Sequence, residues 1–257
     1  MDLGLGGKTA VVLASTGGLG LASARMLGND GANVVITGRR GELAEAEADL
    51  LPSAIGIGAD LTDPATPQVI MDAALDAYGQ VDILVWNSGG PPHGTATELR
   101  AEDLTRAAAL LVSPFVRFLD LALPPMRSRG WGRIVAIGSS GVDQPIPNLA
   151  LSNILRPAVA GLCKTLSAEV AADGVTVNMV LPGRIATDRV AEGDQRNAKR
   201  QGISVDEAVR RSRASIPMGR YGEPDEFGSM VAFLCSKQAS YVTGARIRVD
   251  GGYIRSH

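Results

Sequence analysis

Thr9-Ala10-Val11-Val12-Leu13-Ala14 runs directly into Ser15-Thr16-Gly17-Gly18-Leu19-Gly20, and a helical pattern opens near Leu21. The first six residues have the composition of a buried strand, and the glycines after them strip side chains from the turn. At a helix N-terminus the first backbone N–H groups lack partners and carry partial positive charge, so a bare strand–turn–helix of this kind is a seat for phosphate. Gly20 lets the helix lie close to the sheet. With 31 glycines in 257 residues, a Gly-x-Gly match alone arises by chance. Its place after the first strand and before a helix makes it a dinucleotide fingerprint, set against an ordinary strand–helix turn.

Outward from this stretch, β-rich runs alternate with helical patterns along the whole chain. The runs are Asn33–Thr37, Ala54–Gly58, Val81–Trp86, Arg133–Ile137, Val175–Leu181 and Arg246–Val249. Between them lie stretches of 3.6-residue periodicity such as Ala22–Gly28, Leu43–Leu50 and Val69–Tyr78. Continuous apolar strands joined by helices imply a parallel sheet buried on both faces, wound by right-handed crossovers. The fold expected is α/β, a Rossmann-type doubly wound parallel sheet of about seven strands with helices on both faces. No Pro/Ser-rich linker interrupts the pattern, so residues 1–257 are read as one domain. The one long irregular segment is roughly Arg184–Ser204, a disordered excursion or part of a lid over about 184–215.

Composition narrows the partners. Lys+Arg 25 against Asp+Glu 27 gives a formal charge of -2, with no long block of one sign, so neither nucleic acid nor a membrane surface is expected as a partner. Arg210-Arg211-Ser212-Arg213 reads as one solvated helix face. The apolar runs fall short of 18 residues, and the start lacks a signal pattern. Cys163 and Cys235 sit far apart in apolar patterns, which suits buried thiols in a reducing, cytoplasmic compartment. With only His93 and His257 as histidines, no metal site is expected.

A dinucleotide fold places an acid about 20 residues beyond the last glycine for a ribose 2′-hydroxyl, or an arginine where that carbon bears phosphate. Here the second strand ends in Thr37-Gly38-Arg39-Arg40 with no acid. A cationic fork suits a phosphate, so NADP(H) is expected in preference to NAD(H). The alternative is a solvated charge pair at a helix start.

These features together resemble the short-chain dehydrogenase/reductase family over essentially the full length. The family loop Thr-Gly-x-x-x-Gly-x-Gly aligns with Leu13 through Gly20, matching Gly18 and Gly20, with Ala14 in place of the first glycine. Asp60, followed by Leu61, matches the acid that contacts adenine. Asn87-Ser88-Gly89 resembles the family's Asn-Ala-Gly on the adenosine side. Pro182-Gly183 with Thr187 is similar to the Pro-Gly-x-x-x-Thr segment that closes on the nicotinamide, and Val249-Asp250-Gly251-Gly252 to the C-terminal signature. The resemblance therefore implies cofactor contacts at Ser15, Thr16, Gly18, Leu19, Gly20, Arg39, Arg40, Asp60, Leu61, Asn87, Ser88, Gly89, Pro182, Gly183 and Thr187. It also implies a homo-oligomer, a tetramer or dimer, packed through Ala158–Ala172 and the C-terminal strand.

The same resemblance exposes a gap. Family members use a Ser, a Tyr and a Lys, with an Asn on a preceding helix. Ser139 supplies the serine, but Ser152 and Arg156 stand where Tyr and Lys belong, and Leu111 aligns with the Asn. No tyrosine lies between Tyr78 and Tyr221, so a slipped register does not restore the pair. An aliphatic hydroxyl and a guanidinium can hydrogen-bond but cannot cycle a proton as a phenol does, and losing a matched acid–base group forfeits roughly 10²–10⁴ in rate. Pro157 directly after Arg156 suggests a helix starting near Arg156, later than usual.

His93, in Asn87-Ser88-Gly89-Gly90-Pro91-Pro92-His93-Gly94, is the candidate substitute, because imidazole titrates near neutrality and this loop lies on the edge where ligands sit; its alternative is a solvent-exposed loop histidine. Ser139 either touches substrate or caps a turn, and Arg156 either binds an anionic or cofactor group or forms a surface ion pair. Asp143 and Gln144 share the post-strand loop. Three functions remain open: an NADP(H)-dependent oxidoreductase acting on a small carbonyl or alcohol substrate, similar to 3-oxoacyl reductases, with an altered proton relay; a cofactor-binding sensor or scaffold without activity; and non-redox chemistry on the same fold. For the last, halohydrin dehalogenases resemble this family and carry arginine at the lysine position, but they keep the tyrosine and lack the glycine loop.

Overall fold

The computed structural model describes residues 2–256. Its strands are β1 (Thr9–Val12), β2 (Asn33–Gly38), β3 (Ala54–Gly58), β4 (Ile83–Trp86), β5 (Gly132–Ile137), β6 (Val175–Pro182) and β7 (Arg246–Val249). All pair in parallel in one sheet of order β3-β2-β1-β4-β5-β6-β7. The chain first builds outward from β1 to β3, then returns to place β4 on the other side of β1. This reversal opens a crevice at the carboxyl ends of β1 and β4, where doubly wound sheets receive ligands.

Neighbouring residues of each central strand serve opposite faces. Val11 of β1 and Leu84 and Trp86 of β4 pack on one side, whereas Ala10, Val12, Ile83 and Val85 pack on the other. The first face is covered by α3 (Thr66–Tyr78), α5 (Ser113–Ser128) and α6 (Ala150–Val170), and Trp86 stacks on Phe115 with ring centroids 5.0 Å apart. The second is covered by α1 (Gly18–Asn29), α2 (Gly41–Ala48) and α9 (Pro224–Cys235). Both faces being buried is why the strands read as unbroken apolar runs.

Within the helical stretch Ala101–Ser128 an 18-residue window reaches a mean hydropathy of 1.6, long and apolar enough by length and composition to span a membrane. It turns at Val112 into α4 (Ala101–Leu111) and α5, and buries Phe115, Phe118, Ala122 and Met126 against the sheet.

Two expectations are corrected. The helix carrying Ser152 and Arg156 begins at Ala150, not near Arg156, and Pro157 lies inside it. Tertiary clamps offset the missing N–H: Asn153 donates Nδ2 to Ile146 O at 2.8 Å and accepts from Ile146 N at 3.1 Å, while Arg156 Nη1 donates to Ile137 O at 2.7 Å. The segment read as irregular, Arg184–Ser204, is mostly helical. It forms α7 (Asp188–Gln201), ended by Gly202 at φ 65°, and leads into α8 (Val205–Ala214), capped by the Ser204 hydroxyl. Buried Asp194 ties α7 to the body by pairing with Arg184 and accepting Tyr221 Oη at 2.7 Å.

Cys163 and Cys235 are buried free thiols, and burial pushes each up to about 12. Because the thiolate is the reactive form, neither should react with a thiol-directed disulfide reagent in the folded protein at pH 8, and both should react at once in denaturant. Rapid titration of either thiol in the native state would contradict this packing.

Candidate functional site

Gly17 precedes α1 in extended geometry, and no side chain caps the helix. Gly17 and Gly18 are exposed, so the first amides of α1 stay open toward the crevice. Gly18 adopts φ 54°, and a methyl group there would lie 3.7 Å from Thr187 Cγ2, so Thr187 stands beside the glycine turn. Gly20 is a packing position: a Cβ would fall 2.6 Å from Ala14 O and 2.8 Å from Asn87 Nδ2. Thr16 covers Gly38, where a Cβ would meet Thr16 Cγ2 at 2.6 Å.

Several sequence candidates act as supports in this structure. Ser15 is fully buried; its hydroxyl donates to Val12 O at 2.6 Å and accepts from Thr37 N at 3.0 Å. Asn87 donates Nδ2 to Ala14 O at 3.0 Å. Leu61 packs its side chain into the core. Gly183 lies so close to Asp250 that a Cβ would fall 2.5 Å from its Cα. Pro182 ends β6 just before it. Leu19 is half-buried against the second core face, and Gly89 is open.

Polar groups around the crevice remain available. Arg39 and Arg40 are exposed at the end of β2, and among the described residues neither makes an ion pair within 4.0 Å. Asp60 uses one oxygen in a local turn, accepting from Thr62 N at 2.9 Å and Thr62 Oγ1 at 2.8 Å. Those bonds, with Arg39 nearby, hold its carboxyl below the usual range. Ser88 is buried with an unpartnered hydroxyl. An uncapped glycine turn, two free guanidiniums and an orphaned buried hydroxyl fit a phosphorylated dinucleotide.

The second half of the site gathers at the carboxyl ends of β4 and β5. The His93 loop is stitched to the start of α6 by Gly94 N to Asn148 O at 3.0 Å and Ala150 N to Gly94 O at 3.1 Å. Arg156 binds the last carbonyl of β5, next to the Gly138-Ser139 turn. Ser139 Oγ accepts from Gly141 N at 3.0 Å, which leaves its own O–H free to donate. Ser152 is buried near the start of α6. Leu111 is buried against Leu151 and Leu155. Asp143 is neutralised by Arg246 and Arg248 of β7, and Gln144 is exposed.

Arg156 is buried, not a surface ion-pair partner; desolvation, with Arg189 beside it, pushes it down to about 10. His93 is solvent-exposed in its loop, the alternative that the sequence offered, and what desolvation it has, followed by Arg196 and Arg189, holds it below its ordinary value. Its Nε2 stands 3.5 Å from Arg196 Nη2, the outer limit of a hydrogen bond. Sequence reading missed Arg189 and Arg196. Their signal was available: seven residues apart, they share one face of α7, directly after Thr187.

Comparison with known proteins agrees with the architecture. The family described as Enoyl-(Acyl carrier protein) reductase matches residues 13–254. The chain is 32% identical over 256 residues to a D-beta-hydroxybutyrate dehydrogenase of Cupriavidus necator, covering 97% of this chain and 99% of that one. It is likewise 32% identical over 255 residues to the 3-oxoacyl-(acyl-carrier-protein) reductase FabG of Vibrio cholerae, covering 97% and 98%. The solved L-sorbose reductase of Gluconobacter frateurii, complexed with NADPH and L-sorbose, is similar over the whole of both chains, with TM-score 0.94 and 29% identity. The chain belongs to the short-chain dehydrogenase/reductase family. Its activity class is accordingly oxidoreduction at a CH–OH or C=O carbon.

Gly20→Val tests the glycine turn. Its side chain would collide with the Ala14 carbonyl and Asn87, so the variant should lose several degrees of thermal stability and bind NADPH weakly. A variant with unchanged melting and binding would refute the close approach.

Proposed function

We propose that the protein is an NADP(H)-dependent carbonyl/alcohol oxidoreductase whose proton relay does not use the family's Tyr/Lys pair. The observation that carries the cofactor choice is the pair of guanidiniums without an ion pair, Arg39 and Arg40, where β2 ends in Thr37-Gly38-Arg39-Arg40 with no acid in that stretch. They would hold the 2′-phosphate, while the bare amides from Gly17 to Gly20 would hold the diphosphate. Asp60 would serve the adenine side. Ser88 and Thr187 would complete the enclosure. When bound, the nicotinamide supplies or accepts a hydride at C4. The G. frateurii relative's complex with NADPH supports the same cofactor here.

On the substrate side, Ser139 donates its free O–H to the substrate oxygen. Ser152 offers a second hydroxyl near the start of α6. Arg156 stays protonated at neutral pH, so it contributes a fixed positive field and not a transferable proton. His93, or a water it orients, then carries the proton. α7 and α8 form the lid over this half, and two buried thiols suit a reducing, cytoplasmic setting. The small-residue face of α6 and the β7 edge would join copies into a dimer or tetramer.

Titrating the protein with NADPH should shift and enhance nicotinamide fluorescence. Arg39→Asp should weaken NADPH binding by about 1.5–3 kcal/mol, the worth of a charge-assisted hydrogen bond, and leave NADH binding nearly unchanged. Equal weakening of both would refute the phosphate role.

Wild-type protein should consume NADPH with some member of a ketone, quinone and 3-oxoester panel. His93→Ala or Ser139→Ala should then lose roughly 10²-fold or more of that rate. Because the imidazolium is the donor in reduction and His93 sits below its ordinary value, the reduction rate should rise from pH 8 toward pH 5. The slope should vanish in His93→Ala. NADPH binding with no turnover on any panel member would instead favour a sensor.

A further inference from the structure

Around His93 the charges do not balance. Arg189 reaches from α7 to the backbone of the β4 loop, so that a Cβ on Gly90 would fall 1.7 Å from its Nη2. Arg156, close enough to feel the charge of Arg189, is buried with one N–H on Ile137 O. Arg196, about two turns further along the same face of α7, meets His93. Among the described residues neither Arg156 nor Arg189 has a carboxylate within 4.0 Å. The single acid in the group is Glu192, 3.5 Å from Arg196, with 64% of its side chain exposed. The other nearby acids are committed elsewhere: Asp143 to Arg246 and Arg248, and Asp194 to Arg184 and Tyr221. Protein around Arg189 displaces enough water to lower its pKa, although the side chain still opens to solvent at the mouth of the crevice. One exposed carboxylate, Glu192, acts on both Arg196 and Arg189, which leaves three guanidiniums sharing one counter-ion; guanidiniums so short of counter-ions repel each other, and a buried unpaired charge is costly. Such a cluster is stabilised by an anion, and a planar guanidinium fork matches a carboxylate.

We propose that Arg189 and Arg196, backed by Arg156, form a carboxylate subsite beside Ser139 and His93, so that the substrate is an oxo acid or the corresponding hydroxy acid. The inference deepens the oxidoreductase reading and rests on it for the identity of the reacting carbon. Three details support it. Glycine at position 90 leaves room for the guanidinium. Arg189 and Arg196 share the face of α7 that meets the β4 loop. Asp143, which stands in the loop after β5, is kept out of the cluster by two arginines of β7. An anionic group of the cofactor is the other source of negative charge that could sit on Arg189, and the experiment separates the two.

NADPH-saturated protein is assayed with 2-, 3- and 4-oxo acids of four to eight carbons and with their methyl esters. At least one acid should be reduced with kcat/KM about 10–100-fold above its ester, the worth of one charge-assisted contact. Arg189→Met should erase that preference by raising KM for the acid, with NADPH affinity changed less than about twofold. Gly90→Ala, which removes no charge but displaces the guanidinium, should reproduce the effect in part. Independently of turnover, calorimetric titration of the NADP⁺-saturated protein with malonate and succinate should show binding that Arg189→Met abolishes. Esters reduced as well as acids would overturn the subsite and leave the reductase intact. Loss of NADPH affinity in Arg189→Met with the acid preference unchanged would also overturn it, assigning Arg189 to the cofactor. Carboxylate binding without reduction of any acid or ester would uphold the subsite and overturn the reductase. Absence of any carboxylate binding would overturn the subsite.

Discussion

A helix that is to receive phosphate must begin with its amides bare, yet the turn leading into it must not move. α1 meets the first requirement by starting after Gly17 without a side-chain cap. The second is met from behind the turn. Ser15 of the turn itself ties β1 to β2 through Val12 O and Thr37 N; Thr37 of β2 accepts Ala14 N at 3.1 Å; and Asn87, at the end of β4, donates to Ala14 O. Ala14 pays a conformational cost, with φ at 47°, a region that side chains with a Cβ rarely adopt and that costs on the order of 1–3 kcal/mol. Hydrogen bonds to both its N–H and its carbonyl hold it there. The crevice-facing surface of the turn is thus glycine, and the bracing falls on three polar side chains, those of Ser15, Thr37 and Asn87.

That division explains what could be read in advance. Strands were legible because burial on both faces leaves a continuous apolar run, and β3 and β7 appear with the bounds that the runs suggest. The glycine turn was legible because its chemistry is local. Ser15 and Asn87 were legible as important positions, but spacing does not tell a ligand contact from a brace: that depends on which neighbour the side chain meets across the sheet. Helix α6 shows the opposite failure. Pro157 is a local signal for a boundary, and it loses to tertiary contacts: Asn153 grips both polar groups of Ile146, and Arg156 reaches the end of β5. Neither contact has a sequence signature. The polar stretch from Arg184 looked structureless because it lacks an apolar stripe; its helices are instead held by end caps, Glu207 pairs with Arg210 and Arg211, and one buried carboxylate, Asp194.

The same limit hid half of the candidate site. His93 and Arg156 stood out by residue type, whereas Arg189 and Arg196 looked like two more charges on a hydrophilic helix. Only the folded chain shows that α7 turns this face toward the β4 loop, and only glycine at position 90 makes the approach close. Net charge was equally uninformative: a chain with a formal charge of -2 can still concentrate positive charge where its acids are consumed by other pairs.

The two proposals bear on one another. A phenol–amine pair supplies a proton and a field together, and this chain keeps the field alone. Arg156 and Arg189 favour negative charge developing on an oxygen held by Ser139, while desolvation and then the charges of Arg196 and Arg189 oppose protonation of His93. A neutral ketone entering this site would find an imidazole that holds its proton less readily than a free one. An oxo acid brings its own counter-charge: once the carboxylate lies on Arg189 and Arg196, the repulsive part of what depresses His93 is reduced, and the ring takes a proton from solvent more readily. Substrate charge would then control proton supply, so that discrimination between acid and ester acts on turnover as well as on binding. A site of this kind can do without tyrosine and lysine because part of its acid–base balance arrives with the substrate.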